Sequence, residues 1–279
     1  MGKRIWMALL LVSCVGAAFA AGPGAVRKQA ESSLLVKGTI DIKADGTVAD
    51  YTLEQQAALP EGIVGMIGKA VPQWRFEPIA FAPGITRARA DMSLRIVAKK
   101  LDEQNYSLQI RGAHFGQDRP GESVAGIRLN PPRYPESAQW AGVGGTVYLV
   151  LKIDRDGRVE DLMTEQVNLR VVASEASMTK WRKLLAQAAL RTAKAWTFAP
   201  PVKGEQVDAE YWSARVPVDF VAPGRLPAKT TDWEVYIPGP RESIPWVTED
   251  SEANTDALAA GGVYQMGSGL RLLTQLGPG

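Results

Sequence analysis

The sequence predicts an α+β protein of two small units, each an antiparallel sheet packed by one main helix, followed by a Pro/Gly-rich tail. Three observations predict it. An Asp-Gly hairpin pattern occurs twice, a Trp-x-Phe-x-Pro element occurs twice downstream of a helical pattern, and a mature length of roughly 260 residues accommodates about two domains.

The first twenty residues read as a signal peptide. Lys3 and Arg4 form a positive n-region, Ile5 to Val12 an apolar h-region, and Ala18-Phe19-Ala20 a small-x-small cleavage site that makes Ala21 the expected mature start. Two other readings stay open: Leu11-Val12-Ser13-Cys14 as a lipobox that tethers the chain through Cys14, and Ile5 to Ala21 as a retained membrane anchor at the short end of what spans a bilayer.

Without Lys3 and Arg4 the chain holds 30 basic and 30 acidic residues and is formally neutral. Nucleic-acid binding needs a cationic face that displaces counterions, and no local run of Lys and Arg supplies one. Cys14 is the single cysteine, so the expected mature chain has no disulfide and no thiolate metal site; stability must come from packed cores.

The two units emerge as an internal repeat. Gly38 to Asp50, with Asp45-Gly46, reads against Val147 to Asp161, with Asp156-Gly157. Apolar alternation around Asp-Gly predicts a hairpin with a primed turn. Trp74-Arg-Phe76-Glu-Pro78 then matches Trp196-Thr-Phe198-Ala-Pro200. The glycines stand 111 residues apart and the tryptophans 122, so the second unit has eleven extra residues, around Gln166 to Thr179. Its helix carries Met178, Trp181, Leu184, Leu185, Ala188 and Trp196 as one stripe, and Ser177 reads as its cap. The first unit repeats the stripe with Ile63, Ile67, Ala70 and Trp74, between Pro60 and Pro72, on a helix weakened by Gly62, Gly65 and Gly68. Large aromatics ending an amphipathic helix read as core. Final strands are expected at Asp91 to Val97, extended by an arm from Asn105 to Phe115, and at Tyr211 to Val221.

In the second unit these elements occur in the order Tyr134-Pro135, Ala138, Gly145-Thr-Val147, Asp156-Gly157, Trp196-Thr-Phe198-Ala-Pro200 and Val216-Pro217-Val218-Asp-Phe220. From end to end, over roughly ninety residues, this resembles the C-terminal domain of the energy transducer TonB. The first unit keeps the hairpin and Trp-x-Phe-x-Pro but lacks Tyr-Pro and Val-Pro-Val, and reads as a degenerate copy. The expected organisation is a signal peptide at 1–20, a degenerate TonB-C-like unit at 25–115, a linker at 116–130, a TonB-C-like unit at 131–222 and a Pro/Gly-rich tail at 223–279.

The resemblance implies a periplasmic interaction module that holds the TonB box of an outer-membrane receptor, or an extended segment of another envelope protein, as an added strand. The outer edge of the Tyr211 to Val221 strand is the expected site, with Tyr134 and Pro135 shaping one end and Tyr211, Ser213, Arg215, Val216, Val218 and Phe220 as contact residues. Pro217 removes one donor from that edge. The leader lacks the functional His of a full transducer, and no long Pro-rich spacer follows it, which argues for an adaptor, binding module or competitor over a force transducer.

Catalytic signals are weak. His114 is the only histidine and reads as a strand residue. Ser177-Met-Thr-Lys180 fits Ser-x-x-Lys, and Lys229-Thr230-Thr231 comes near Lys-Thr-Gly, but no Ser-Asp-Asn accompanies them. Asp154-Arg-Asp156-Gly157 starts like a calcium loop and lacks its later ligands. No phosphate-cradling or dinucleotide glycine pattern occurs, so no cofactor is indicated and the chain reads as no enzyme. An enzyme or small-ligand carrier reusing the fold is the alternative; a deep polar pocket between the units, or side chains converging on His114, would favour it. Gln117 to Arg133 reads as an exposed connector that lets the units move, and Gly261 to Gly279 as a mobile end. Trp233, Tyr236, Ile237 and Trp246 in the tail read as packing back on the body.

Overall fold

A computed structural model describes residues 22–101, 105–116, 121–227, 231–247 and 257–276. The expected leader, with Cys14 and the Ala20-Ala21 site, lies outside the described residues, as do Lys229 and Thr230. In chain order the elements are α1 (Pro23–Arg27), β1 (Glu31–Lys43), β2 (Val48–Leu53), α2 (Glu61–Ala70), β3 (Arg87–Lys100), β4 (Tyr106–Gly116), β5 (Ala125–Arg128), α3 (Glu136–Trp140), β6 (Gly145–Ile153), β7 (Val159–Leu169), α4 (Glu175–Ala193), β8 (Thr197–Ala199), β9 (Trp212–Phe220), β10 (Glu234–Tyr236) and β11 (Tyr264–Gln265).

In the first unit β1 is the central strand. It pairs antiparallel with β3 along its whole length, and its other side takes β2 at Gly38 to Ile42 and β10 at Glu31 to Ser33. Period-two alternation puts Leu34, Val36, Ile40 and Ile42 on one face, where they pack with Ile63 and Ile67 of α2. As expected, β4 covers the outer edge of β3, in register from Asp91 to Lys100. The second unit repeats this frame, with β6 between β7 and β9 and α4 on one face. Val147, Leu149, Leu151 and Ile153 meet Met178, Leu185, Ala188 and Trp196 there.

Both Asp-Gly turns hold Gly in the left-handed region, at φ 79° for Gly46 and 76° for Gly157. They are not the primed two-residue turns that the pattern predicted, because the residue before each Gly keeps negative φ. Each is a longer loop with the glycine as its bulge: Gly46 donates to Lys43 and Gly157 to Asp154, both at 3.0 Å. The cap of α4 is also corrected. Ser174, not Ser177, stands at the N-cap, and its Oγ accepts the Ser177 N–H.

The backs of the two sheets are buried as well. Leu35 and Val97 in the first unit, and Tyr148 and Val150 in the second, are buried yet belong to neither helix-side core. A cavity of about 30 Å³ lies between Ser33 and Arg95 of one sheet and Thr146, Tyr148 and Asn168 of the other. The order of layers is therefore helix, sheet, sheet, helix. Its cavity has room for water rather than for a substrate.

The described parts of the connector and tail pack on these layers, and one stretch of the tail joins the two sheets. β5 pairs with β8, and Asn130 accepts the Trp196 indole N–H at 2.9 Å. Of the tail residues expected to pack on the body, Tyr236 and Ile237 are buried and Trp246 is partly buried, whereas Trp233 is 39% exposed. β10 extends the first sheet, and the next residue, Ile237, exchanges backbone bonds of 2.7 and 3.0 Å with Leu169 in the second. Leu270, Leu272 and Leu276 form no helix and pack on the first core.

Candidate functional site

The edge expected to receive a partner is the outer side of β9, and the tail lies on it. Tyr264 pairs with Arg215 and Gln265 with Ala214; Met266 donates to Ser213 O at 2.8 Å and Gly261 to Pro217 O at 3.1 Å. The edge expected to be free for a partner is therefore already occupied from Ser213 to Pro217. Pro217 lacks an N–H, yet its carbonyl is used. Beyond it, β9 runs toward an open hollow of about 610 Å³ lined by Asp219, Val221, Leu226, Trp233 and Val235.

The expected contact residues do not converge as side chains. Alternation along β9 points Val216, Val218 and Phe220 into the helix-side core, where burial closes them to a partner. Arg215 points to the back face and is buried against Glu165, with Nε to Oε2 at 2.8 Å and Nη2 to Oε1 at 2.9 Å. Ser213 and Tyr211 are partly exposed; the Lys152 ammonium sits 4.4 Å over the Tyr211 ring. Tyr134 sets its ring edge-on to Phe220 at 5.4 Å, and its hydroxyl donates to Val143 O at 2.5 Å; burial pushes its pKa up. Pro135 stands at the N-cap of α3. The hollow beside these two, about 580 Å³, opens between α3 and the end of α4, on the helix side of the sheet. What the β9 edge offers an extended chain is backbone.

Around that edge lie residues that sequence reasoning missed. Glu165 also binds Arg241 at 2.9 Å; burial pushes its pKa up, but hydrogen bonds and charge from Arg215 and Arg241 outweigh this and hold it below the usual carboxylate value. Gln265 is buried: its Oε1 accepts the Val124 N–H at 2.6 Å, and its amide group meets Gln206 Oε1 at 2.5 Å. His114, mostly buried on β4, sits edge-on to Tyr264 at 5.0 Å. Burial, then the Arg215 cation, lower its pKa to about 4. Among the described residues it has no hydrogen-bond or ion-pair partner. Asp154 spends its carboxylate on the N–H groups of Asp156 and Arg158, as a turn residue does. Among the described residues no group of His, Cys, Asp and Glu could hold a metal ion, and no helix is long and apolar enough to cross a membrane.

Comparison with known proteins bears on this edge. The family model for the Gram-negative bacterial TonB protein C-terminal matches residues 130–221, the span from just before α3 to the end of β9. Protein TonB of Xanthomonas campestris pv. campestris strain B100 is 31% identical over 98 residues, which is 35% of this chain and 37% of that protein. Protein TonB of Pseudomonas aeruginosa is 39% identical over 59 residues, 20% of this chain and 17% of that protein. The chain thus spans between about a sixth and little more than a third of the curated relatives it matches.

Proposed function

We propose that residues 130–221, a TonB C-terminal domain, hold extended segments of envelope proteins as an added strand on the outer edge of β9, in the service of TonB-type transport across the outer membrane. One observation carries this reading: β9 already accepts an extended segment there, from the chain's own tail. Strand addition uses main-chain bonds for affinity and side-chain pockets for selectivity, and that edge supplies chiefly main chain. A receptor's TonB-box segment is the expected partner, and no catalysis is part of the reading.

The first unit reads as a diverged copy of the second. Support comes from the shared order of strand, Asp-Gly turn, strand, helix, Trp-x-Phe and strand, and from turns bonded alike in both. Its last strand is already paired with β4, so it has no equivalent edge to give. The leader reads as an export signal cut at Ala20-Ala21, and intact-mass analysis of periplasmic protein should find Ala21 first. Palmitate labelling abolished by Cys14→Ser would show a lipid anchor instead.

The edge itself is tested by titrating the full chain with an extended receptor-derived peptide while following backbone amides. Shifts should centre on residues 213–221 and on the tail residues opposite them. Shifts confined to the first unit would refute the placement.

A further inference from the structure

The tail strand sits on β9 through few bonds. Only Tyr264 and Gln265 are in register, with one flanking bond on each side, whereas β4 is registered on the equivalent edge of the first unit from Asp91 to Lys100. Glycines in the left-handed region bracket it, Gly261 at φ 84° and Gly267 at φ 70°, so the chain turns onto the edge and off it within a few residues.

The two registered side chains are nonetheless read individually. Strand alternation sends them to opposite faces. Tyr264 stacks edge-on against His114 and closes its hydroxyl on the Ala259 backbone, with N and O both at 3.0 Å. Gln265 enters a socket in which the Val124 N–H donates to its oxygen while the Gln206 oxygen receives its amide N–H. A buried amide with both ends matched discriminates strongly, because an apolar replacement would leave the Val124 N–H and the Gln206 oxygen unpaired.

From this we infer that the tail strand is a resident stand-in for the partner: the β9 edge takes an extended peptide, antiparallel to β9, in which an aromatic residue placed on His114 is followed directly by a carboxamide that fills the Val124 and Gln206 socket. The tail must leave before that peptide binds. This rests on the strand-addition reading and adds to it the chemistry of the segment and a built-in competitor.

The test uses the full chain carrying Ala214→Cys and Gln265→Cys, residues directly opposite in the ladder, so that oxidation locks the tail down and reduction frees it. The probe is the peptide Gly-Gly-Val-Tyr-Gln-Met-Gly-Ser, the sequence of residues 261–268. It should bind the reduced protein at least about tenfold more tightly than the oxidised one, and should lose about tenfold when its Tyr becomes Ala or its Gln becomes Leu. Equal binding to both redox states overturns the competitor, and equal binding of the altered peptides overturns the aromatic-carboxamide requirement. A receptor-type peptide without that pair, bound at 213–217 of the reduced protein as tightly as the probe, overturns this inference while strand addition stands. No peptide touching 213–217 of the reduced protein overturns both. Should the double variant not fold, Gln265→Leu serves: the Met266 amide, bonded to Ser213 O, should exchange at least about tenfold faster, and unchanged exchange overturns the inference.

Discussion

Phe198 donates its backbone N–H to the carbonyl of Gly157 at 2.8 Å, fastening the hairpin turn to the strand that follows the main helix. Phe76 makes the same bond to Gly46, also at 2.8 Å. The contact leaves no room for a Cβ: one built on Gly157 would lie 1.9 Å from Phe198 O, and one on Gly46 would lie 2.0 Å from Phe76 O. Asp-Gly and Trp-x-Phe, far apart in each half of the sequence, are thus the two sides of one joint.

Gly157→Ala and Gly46→Ala should each cost at least about 2 kcal/mol, since a left-handed alanine costs about 1–2 kcal/mol before any clash is counted. Urea melts at constant m-value measure it. An unshifted midpoint for either variant would mean that its turn does not need this joint.

The tryptophans beside that joint should behave as core. Trp74 and Trp196 are 3% and 4% exposed, and Trp74 meets Phe115 edge-on at 5.6 Å. Alanine at either should cost roughly 3–5 kcal/mol, and at Trp196 it also strands the Asn130 carbonyl. Thermal melting that leaves Trp196→Ala at the wild-type midpoint would contradict the packing described for the second unit.

Much of this frame was legible because it is local. Period-two alternation, two Asp-Gly pairs and two helical stripes specify each unit without reference to the other. What stayed hidden depends on contacts across long stretches of chain. A two-residue strand at Tyr264-Gln265 has no period to detect, and its place on β9 is set by Gln206 and Val124, 59 and 141 residues away. Arg215 reads as a partner contact in the sequence because nothing there marks Glu165, fifty residues earlier, as its mate. One long-range feature does carry a local signal. Val147-Tyr-Leu-Val-Leu151 is a continuous apolar run, the pattern of a strand buried on both faces, and it announced that the back of the second sheet is covered.

The Glu165–Arg215 pair gives an asymmetric prediction. Both side chains are almost fully buried, so Glu165→Gln should cost roughly 3–5 kcal/mol by taking the countercharge from a buried guanidinium. Replacing both, with Glu165→Leu and Arg215→Met, removes the stranded charge and should recover most of that loss, because apolar groups of similar volume need no desolvation offset. A double-mutant cycle from denaturant melts measures the coupling. A double variant no more stable than Glu165→Gln would show that the pair is not the reason these residues are buried.

Acid should loosen the junction where the first unit, the tail and β9 meet, in two separable stages. His114 faces Tyr264 and Arg215 there, and burial followed by that cation lowers its pKa from 6.5 to about 4. A folded-state pKa below the unfolded one means that the unfolded chain takes the proton first. Stability from neutral His114 is therefore complete above about pH 6.5 and is lost as the pH falls toward 4, by an amount on the order of 3 kcal/mol at 1.36 kcal/mol per unit. Glu165 has the same sign at lower pH. Its folded pKa lies below the ordinary 4.5, so its contribution is present above that value and drains away beneath it, as protonation uncouples it from Arg215 and Arg241. The melting temperature should hold level near neutrality, decline between pH 6.5 and 4, and fall again below. His114→Gln should flatten the upper decline and leave the lower one in place. Parallel profiles for wild type and His114→Gln between pH 6.5 and 4 would show that the histidine does not sense the junction, and would leave Glu165 to account for acid lability alone.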